Sequence, residues 1–439
     1  MRLVNSAINN REMRPWLRVL FTALAGLAFL LAGCGGYNGS GTGSSSSSTP
    51  TSGLKKRVLV SNQQAGTVSI VDANKDILST FSIGTVGSVP GAAKMVTAGG
   101  FTAVINSNEN DLSIIKNSSE QVTQTFGTFD RVTDLAINSS GATAFAAVRN
   151  PGVLDAINTT TNAGTALTIP TVSRVVISPN GTKLLVFVDD PQALTGFLPN
   201  TFFAIDTASN TMTPLVIPGS CTAVAPFVCS QSFSAVFNGS ETKAFILNCG
   251  AECGGSAASV VSLDFSGATP VFGTPIPVCG ATVGLLSGSN LFVAGTAPVA
   301  TATPVCAAGG SLQTINTGNS TASAQINITN GLHTKMTMAS NNRLYIGASA
   351  CTPVNDASTG LIRGCLTIFN TSSSGLVFPE FNSLRTSFDV TGLQPISNRT
   401  VIYVVEGGEL DIYDTNTDAL TATQIDIVGH AIDVVQIDP

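Results

Sequence analysis

The feature that most constrains this 439-residue chain is a unit of four short strands that recurs along it. Its best copy lies between Thr171 and Gly219. Residues 173–178 read as a first strand and Pro179-Asn180-Gly181 as a tight turn. Residues 183–188, 202–206 and 212–217 read as the second, third and fourth strands. Short apolar, β-branched runs bounded by Gly, Pro and Asn are strand signals. The third strand is the most recognisable element: it alternates and then ends on Asp or Asn. Its copies are Val68–Asp72, Leu112–Lys116, Leu154–Asn158, Phe202–Asp206, Val260–Asp264, Leu312–Asn316, Leu366–Asn370 and Leu410–Asp414. Only Lys116 departs from the terminal rule, and five of the Asx residues precede Thr. An Asx side chain can accept a hydrogen bond from the backbone two residues on, which closes the turn into a fourth strand. The copies are 42 to 58 residues apart, the length of a four-stranded repeat. A second strand precedes each copy, beginning at Val58, Thr102, Thr143, Lys183, Lys243, Leu291, Arg343 and Val401. Only 10% of residues are charged, against roughly 25% in an average domain. Gly, Ser, Thr and Asn take up the difference, as an all-β chain with many turns requires.

Four antiparallel strands repeated eight times resemble a β-propeller. Arg174 to Gly181, the Asp206-Thr207 turn and Ile217-Pro218-Gly219 resemble the YVTN-type repeat family in particular. The resemblance implies an all-β ring of eight four-stranded blades over residues 57–439. Seven blades is the alternative, because residues 378–398 match the template loosely. Trp16 is the only tryptophan and lies near the N-terminus, which argues against WD40 and Trp-docked quinoprotein propellers. Residues 431–439 match a first strand and then stop, whereas the folded part begins at Val58 on a second strand. The C-terminal strand should therefore complete the first blade; without it that blade would expose an unpaired edge.

The N-terminal segment reads as an address. Arg2, Arg11, Arg14 and Arg18 precede a 13-residue apolar core, residues 19–31, followed by Ala32, Gly33 and Cys34. A basic region, a short apolar core and small residues make a secretory signal, and the core is shorter than the roughly 20 residues of a bilayer span. Leu31-Ala32-Gly33-Cys34 resembles the lipobox of bacterial lipoproteins. That resemblance implies cleavage after residue 33 and acylation of Cys34, which anchors the chain stably to a membrane. Gly35 in place of Asp points to outer-membrane sorting, on the periplasmic or surface face. An ordinary signal peptide containing a cysteine is the alternative. Residues 34–56 are Gly- and Ser-rich and read as a tether ending in the basic triplet 55–57.

Without residues 1–33 the chain has 16 basic and 25 acidic residues. Such a surface repels phosphate backbones, so nucleic acid is an unfavourable partner. Eight cysteines remain, and an even number in an exported chain reads as disulfides. Sequential pairing gives Cys221 with Cys229, Cys249 with Cys253, Cys279 with Cys306 and Cys351 with Cys365. Zinc at Cys249 and Cys253 lacks a second closely spaced pair.

No P-loop, zinc-protease or Ser-His-Asp pattern stands out, and no cofactor or metal is expected. Asp414, Asn416 and Asp418 have the first spacing of a calcium loop, but Ala419 and Ile425 stand where Gly and Glu belong. In propellers, ligands bind where inner strands begin, around the central channel. Residues entering those strands are Lys94, Arg131, Asp134, Arg174, His333, Lys335, Asp389, His430 and Asp433. They form a polar funnel suited to an anionic or sugar-like ligand. The longer segments 189–200 and 295–310 are the expected contact surface. The leading expectation is a lipid-anchored envelope module that binds a protein or glycan partner. A lactonase-like hydrolase using Arg174 or His333 is the alternative, and a quinone oxidoreductase a third reading.

Overall fold

The second strand of each unit is a continuous apolar run, such as Lys183–Val188 (KLLVFV), because both of its faces are buried. In the computed structural model it lies inside a four-stranded antiparallel sheet, between neighbours on both sides. The structure describes residues 51–84, 86, 91–108, 111–127, 131–161, 163–189, 196–198, 200–219, 230–302, 304–355, 362–380 and 387–438. Cys34, Cys221 and Cys229 lie outside the described residues.

The fourth blade runs outward through Val172–Ile177, Lys183–Val188, Phe202–Asp206 and Thr211–Leu215. Its third strand is as expected, and its fourth begins one residue early. Eight such sheets make an eight-bladed β-propeller. Their inner strands, in ring order from the first blade, are Ala431–Gln436, Ala92–Ala98, Val132–Ile137, Val172–Ile177, Ser232–Phe237, Val283–Ser287, Leu332–Ala339 and Val390–Pro395. Each neighbours the next, and the last neighbours the first. Residues 378–398 thus supply the eighth inner strand, which removes the seven-blade alternative. Closure is as expected: Ala431–Gln436 pairs with Arg57–Asn62, with Val60 opposite Val434.

The core is divided between the blades. Among the described residues one apolar cluster fills each of the eight blade-to-blade junctions. Period-two alternation sends Leu184, Val186 and Val188 toward the third blade. It sends Leu185 and Phe187 toward the fifth. The closing junction packs Val58, Val60 and Val71 of the first blade on Tyr403, Val405 and Ile412 of the eighth.

The two ends of the ring differ. Inner strands start at what we call the mouth face, which also carries the connections between second and third strands. The opposite, turn face carries the tight turns. There the seven Asx side chains accept hydrogen bonds from the amide two residues on, at 2.7 to 3.2 Å. The following Thr ties this turn to the neighbouring one: Thr159 Oγ1 donates to the Gly141 carbonyl and Thr207 Oγ1 to that of Gly181, each at 2.6 Å. Asp414, Asn416 and Asp418 form one of these turns, with Asp418 accepting from Arg343 Nε at 2.6 Å.

The disulfides Cys249–Cys253, Cys279–Cys306 and Cys351–Cys365 are present, as the sequential pairing anticipates. All three sit on the mouth face. Residues 295–310, expected as a loop, instead continue a ladder: Ala297 pairs with Gly309, and Thr301–Ala302 with Val305–Cys306. Extended strands followed by a second small hairpin satisfy the backbone groups that a long loop would leave unpaired.

Candidate functional site

Inner strands begin with an irregularity that decides which side chains reach the channel. Register shifts occur between Val132 and Asp134, Val172 and Arg174, Ser232 and Ser234, His333 and Lys335, and Val390 and Gly392. A bulge of this kind adds one residue and re-aims the next. The residue before it turns into a blade junction, and the residue after it turns to the channel. The inward positions at this level are Lys94, Asp134, Arg174, Ser234, Val283 and Lys335, from the second blade to the seventh.

Lys94, Asp134, Arg174, Ser234, Val283 and Lys335 line one cavity of about 640 Å³ at the mouth. Arg131 and Arg149 complete its cationic side and Asp189 faces them. Five of the nine anticipated residues, Lys94, Arg131, Asp134, Arg174 and Lys335, therefore meet in one place. Asp433 is tied to it: its Oδ1 accepts from Lys335 Nζ at 2.9 Å and its Oδ2 from the Met95 amide at 3.0 Å. Lys94 is paired with Asp134, whose Oδ2 also accepts from the Val175 amide at 2.9 Å. Arg149 contacts Asp189 at 2.5 Å. Arg174 has a different partner: its Cζ lies 3.6 Å from the centroid of the Phe233 ring. Burial pulls this guanidinium below its ordinary pKa, with the charges of Asp134 and Asp189 opposing that fall.

Three expectations are corrected. His333 is fully buried, its Nε2 2.9 Å from the Thr329 carbonyl. It holds the pre-bulge position that Ala92, Val132, Val172, Val390 and Ala431 hold in other blades, so it belongs to the junction core. Desolvation lowers its pKa to about 4, which leaves a neutral ring at pH 7. His430 does not line the cavity; its carbonyl accepts from the Gln63 amide at 2.8 Å and its ring packs over Gly408. Asp389 is a brace between blades, with Oδ1 accepting from the Ala350 amide at 2.6 Å. Arg149 and Phe233 were not anticipated, and Asp189 was anticipated only as the start of the contact segment 189–200. Phe233 is a single aromatic at a bulge, and Arg149 and Asp189 directly follow second strands; only alignment of the blades reveals their level.

The mouth face carries one more unusual acid. Glu252 follows Cys249 in a short helical turn, and its Oε2 accepts from the Thr296 amide at 2.8 Å. Desolvation raises its pKa to about 7.

No family model and no curated protein sequence matches this chain. Solved structures do. NirN, a dihydro-heme d1 dehydrogenase solved in complex with DHE, is similar over 89% of this chain and 77% of its own, with TM-score 0.63 and 10% identity. Apo AztD from Citrobacter koseri is similar over 87% and 97%, with TM-score 0.56 and 9% identity. A functionally unknown protein from Desulfotomaculum acetoxidans is similar over 87% and 99%, with TM-score 0.50 and 12% identity. At such identities the likeness is one of fold, and it comes from proteins of unlike description.

Proposed function

We propose that this chain is a lipid-anchored β-propeller of the bacterial cell envelope that acts as a binding module, with the mouth cavity as its ligand site. The observation that carries the binding reading is convergence: inner strands from six blades send side chains into one polar cavity. A volume of about 640 Å³ falls within the roughly 300–1,000 Å³ of small-molecule sites. The partner it serves is a protein or glycan of the envelope, or a small ligand carried there. Kinship with the YVTN-type repeat family is part of the same reading and rests on the motif of residues 174–181 and the Asx-Thr turns. Anchoring rests on residues 19–34, and three disulfides suit an exported chain.

The anchor is tested by fractionating cells that express the full chain or Cys34→Ser. The expected result is membrane recovery for the first and soluble recovery for the second. Equal distribution of the two would remove the anchor. The hydrolase alternative loses a residue it relied on, since His333 is sealed in a junction. Hydrolysis of a lactone panel by the purified chain would reinstate it and displace the binding reading.

A further inference from the structure

The cavity's cations are not equivalent. Lys94, Arg149 and Lys335 each face a carboxylate, on Asp134, Asp189 and Asp433 respectively. Arg131 stands exposed at the rim. Arg174 is half-buried, and among the described residues nothing accepts a hydrogen bond from it. A guanidinium carries five N–H donors in a fixed planar fork, and removing it from water without a partner is costly. What holds it is the ring of Phe233. Cation–π contact secures one face of the guanidinium and leaves its edges, where the donors lie, unoccupied.

Phe233 is placed for this by the bulge of the fifth blade. The corresponding residue is Thr133, Ser173, Thr334 and Thr391 in the third, fourth, seventh and eighth blades. The aromatic therefore appears in the blade beside Arg174 and not in those four. On the same side the ring at this level carries Ser234 and Val283, with no counter-charge.

We propose that Arg174, laid over Phe233, is the receptor for the carboxylate of a small organic monoanion in the mouth cavity. A carboxylate matches the fork with two parallel hydrogen bonds. Asp134 and Asp189 act electrostatically on the same guanidinium, and they disfavour a ligand of higher charge. Phosphate, with about −1.5 to −2 charges near neutrality, is disfavoured for that reason. Val283 and Ser234 line the cavity beside it and would meet the ligand's remaining body. This inference rests on the cavity being the ligand site.

The test is calorimetric titration of the full chain with lactate, gluconate and benzoate. Succinate and inorganic phosphate form the dianion arm, and glucose is the neutral control. At least one monocarboxylate should bind more tightly than either dianion. Arg174→Met should weaken it about tenfold or more, and Arg174→Lys and Phe233→Leu severalfold, with unchanged melting temperatures for the last two. Monocarboxylate binding indifferent to all three substitutions, tighter binding of phosphate, or no monocarboxylate binding would each overturn the proposal. Glucose binding that ignores Arg174→Met but is blocked by Ser234→Trp would keep the cavity as a ligand site while removing the carboxylate. Absence of binding by every probe would overturn both.

Discussion

The two faces of this ring are held together by different means. On the turn face, charged groups join one blade to the next. Arg57 of the first blade contacts Glu120 of the second at 2.9 Å and Asp438 at 2.6 Å. Arg399 of the eighth reaches Asp76 of the first, with Nη2 to Oδ2 at 2.7 Å, and Arg343 of the seventh reaches Asp418 of the eighth at 2.6 Å. On the mouth face ion pairs also cross between blades, Lys94 to Asp134 and Arg149 to Asp189, but the covalent links stay within a blade: the three disulfides staple excursions of the fifth, sixth and seventh blades to themselves. The difference separates two tasks. The turn face joins the chain's first and last blades by charge, and the mouth face holds longer segments around a cavity without joining blades there covalently.

Breaking the turn face should cost most. Arg57 and Glu120 have side chains only 6% and 2% exposed, so Arg57→Met leaves a buried carboxylate without its cation, held only by the hydrogen bonds of Ser52. Such a loss costs about 3–5 kcal/mol, and chemical denaturation should read it as a lower midpoint. An unchanged midpoint would deny the turn face its role. Next comes the mouth: Cys279→Ser with Cys306→Ser should lower stability by about 2–4 kcal/mol, while the ring stays closed and monomer dimensions in scattering stay fixed. A ring that opens would mean the staple acts between blades after all.

The smallest effect concerns pH. Glu252 is protonated more readily in the folded chain than its ordinary 4.5, up to about 7. Its contribution is therefore full below pH 4.5 and is lost as pH rises through about 7. Glu252→Gln should flatten the melting temperature between pH 5 and pH 8 relative to the parent. Identical slopes would show that this acid is solvated.

Much of this ring was legible in residue order because its signals are local. An Asx-closed turn marks every third strand but one, and period-two alternation marks the strands feeding the junction clusters. The sixth blade was less legible, because residues 295–310 carry Gly, Pro and Ala where the ladder in fact continues. The channel ring was legible only in part, and His333 shows why. A one-residue bulge exchanges inward and junction-facing positions, and alternation alone cannot locate it. Aligning His333 with Val132, Val172 and Val390 would have placed it in the core. The Arg174–Phe233 contact depends on two blades meeting, which no single repeat encodes.

The chain joins the ring on the turn face. Thr51 Oγ1 and the Ser52 amide donate to the Ser119 carbonyl and to Glu120, and Arg57 then opens a strand that is paired on both edges. A mechanical load applied from upstream would be borne by a doubly zipped strand in the closing blade, with the ion pairs of Arg57 as the first resistance. The pull acts at the pole remote from the cavity, so traction along that line bypasses the mouth.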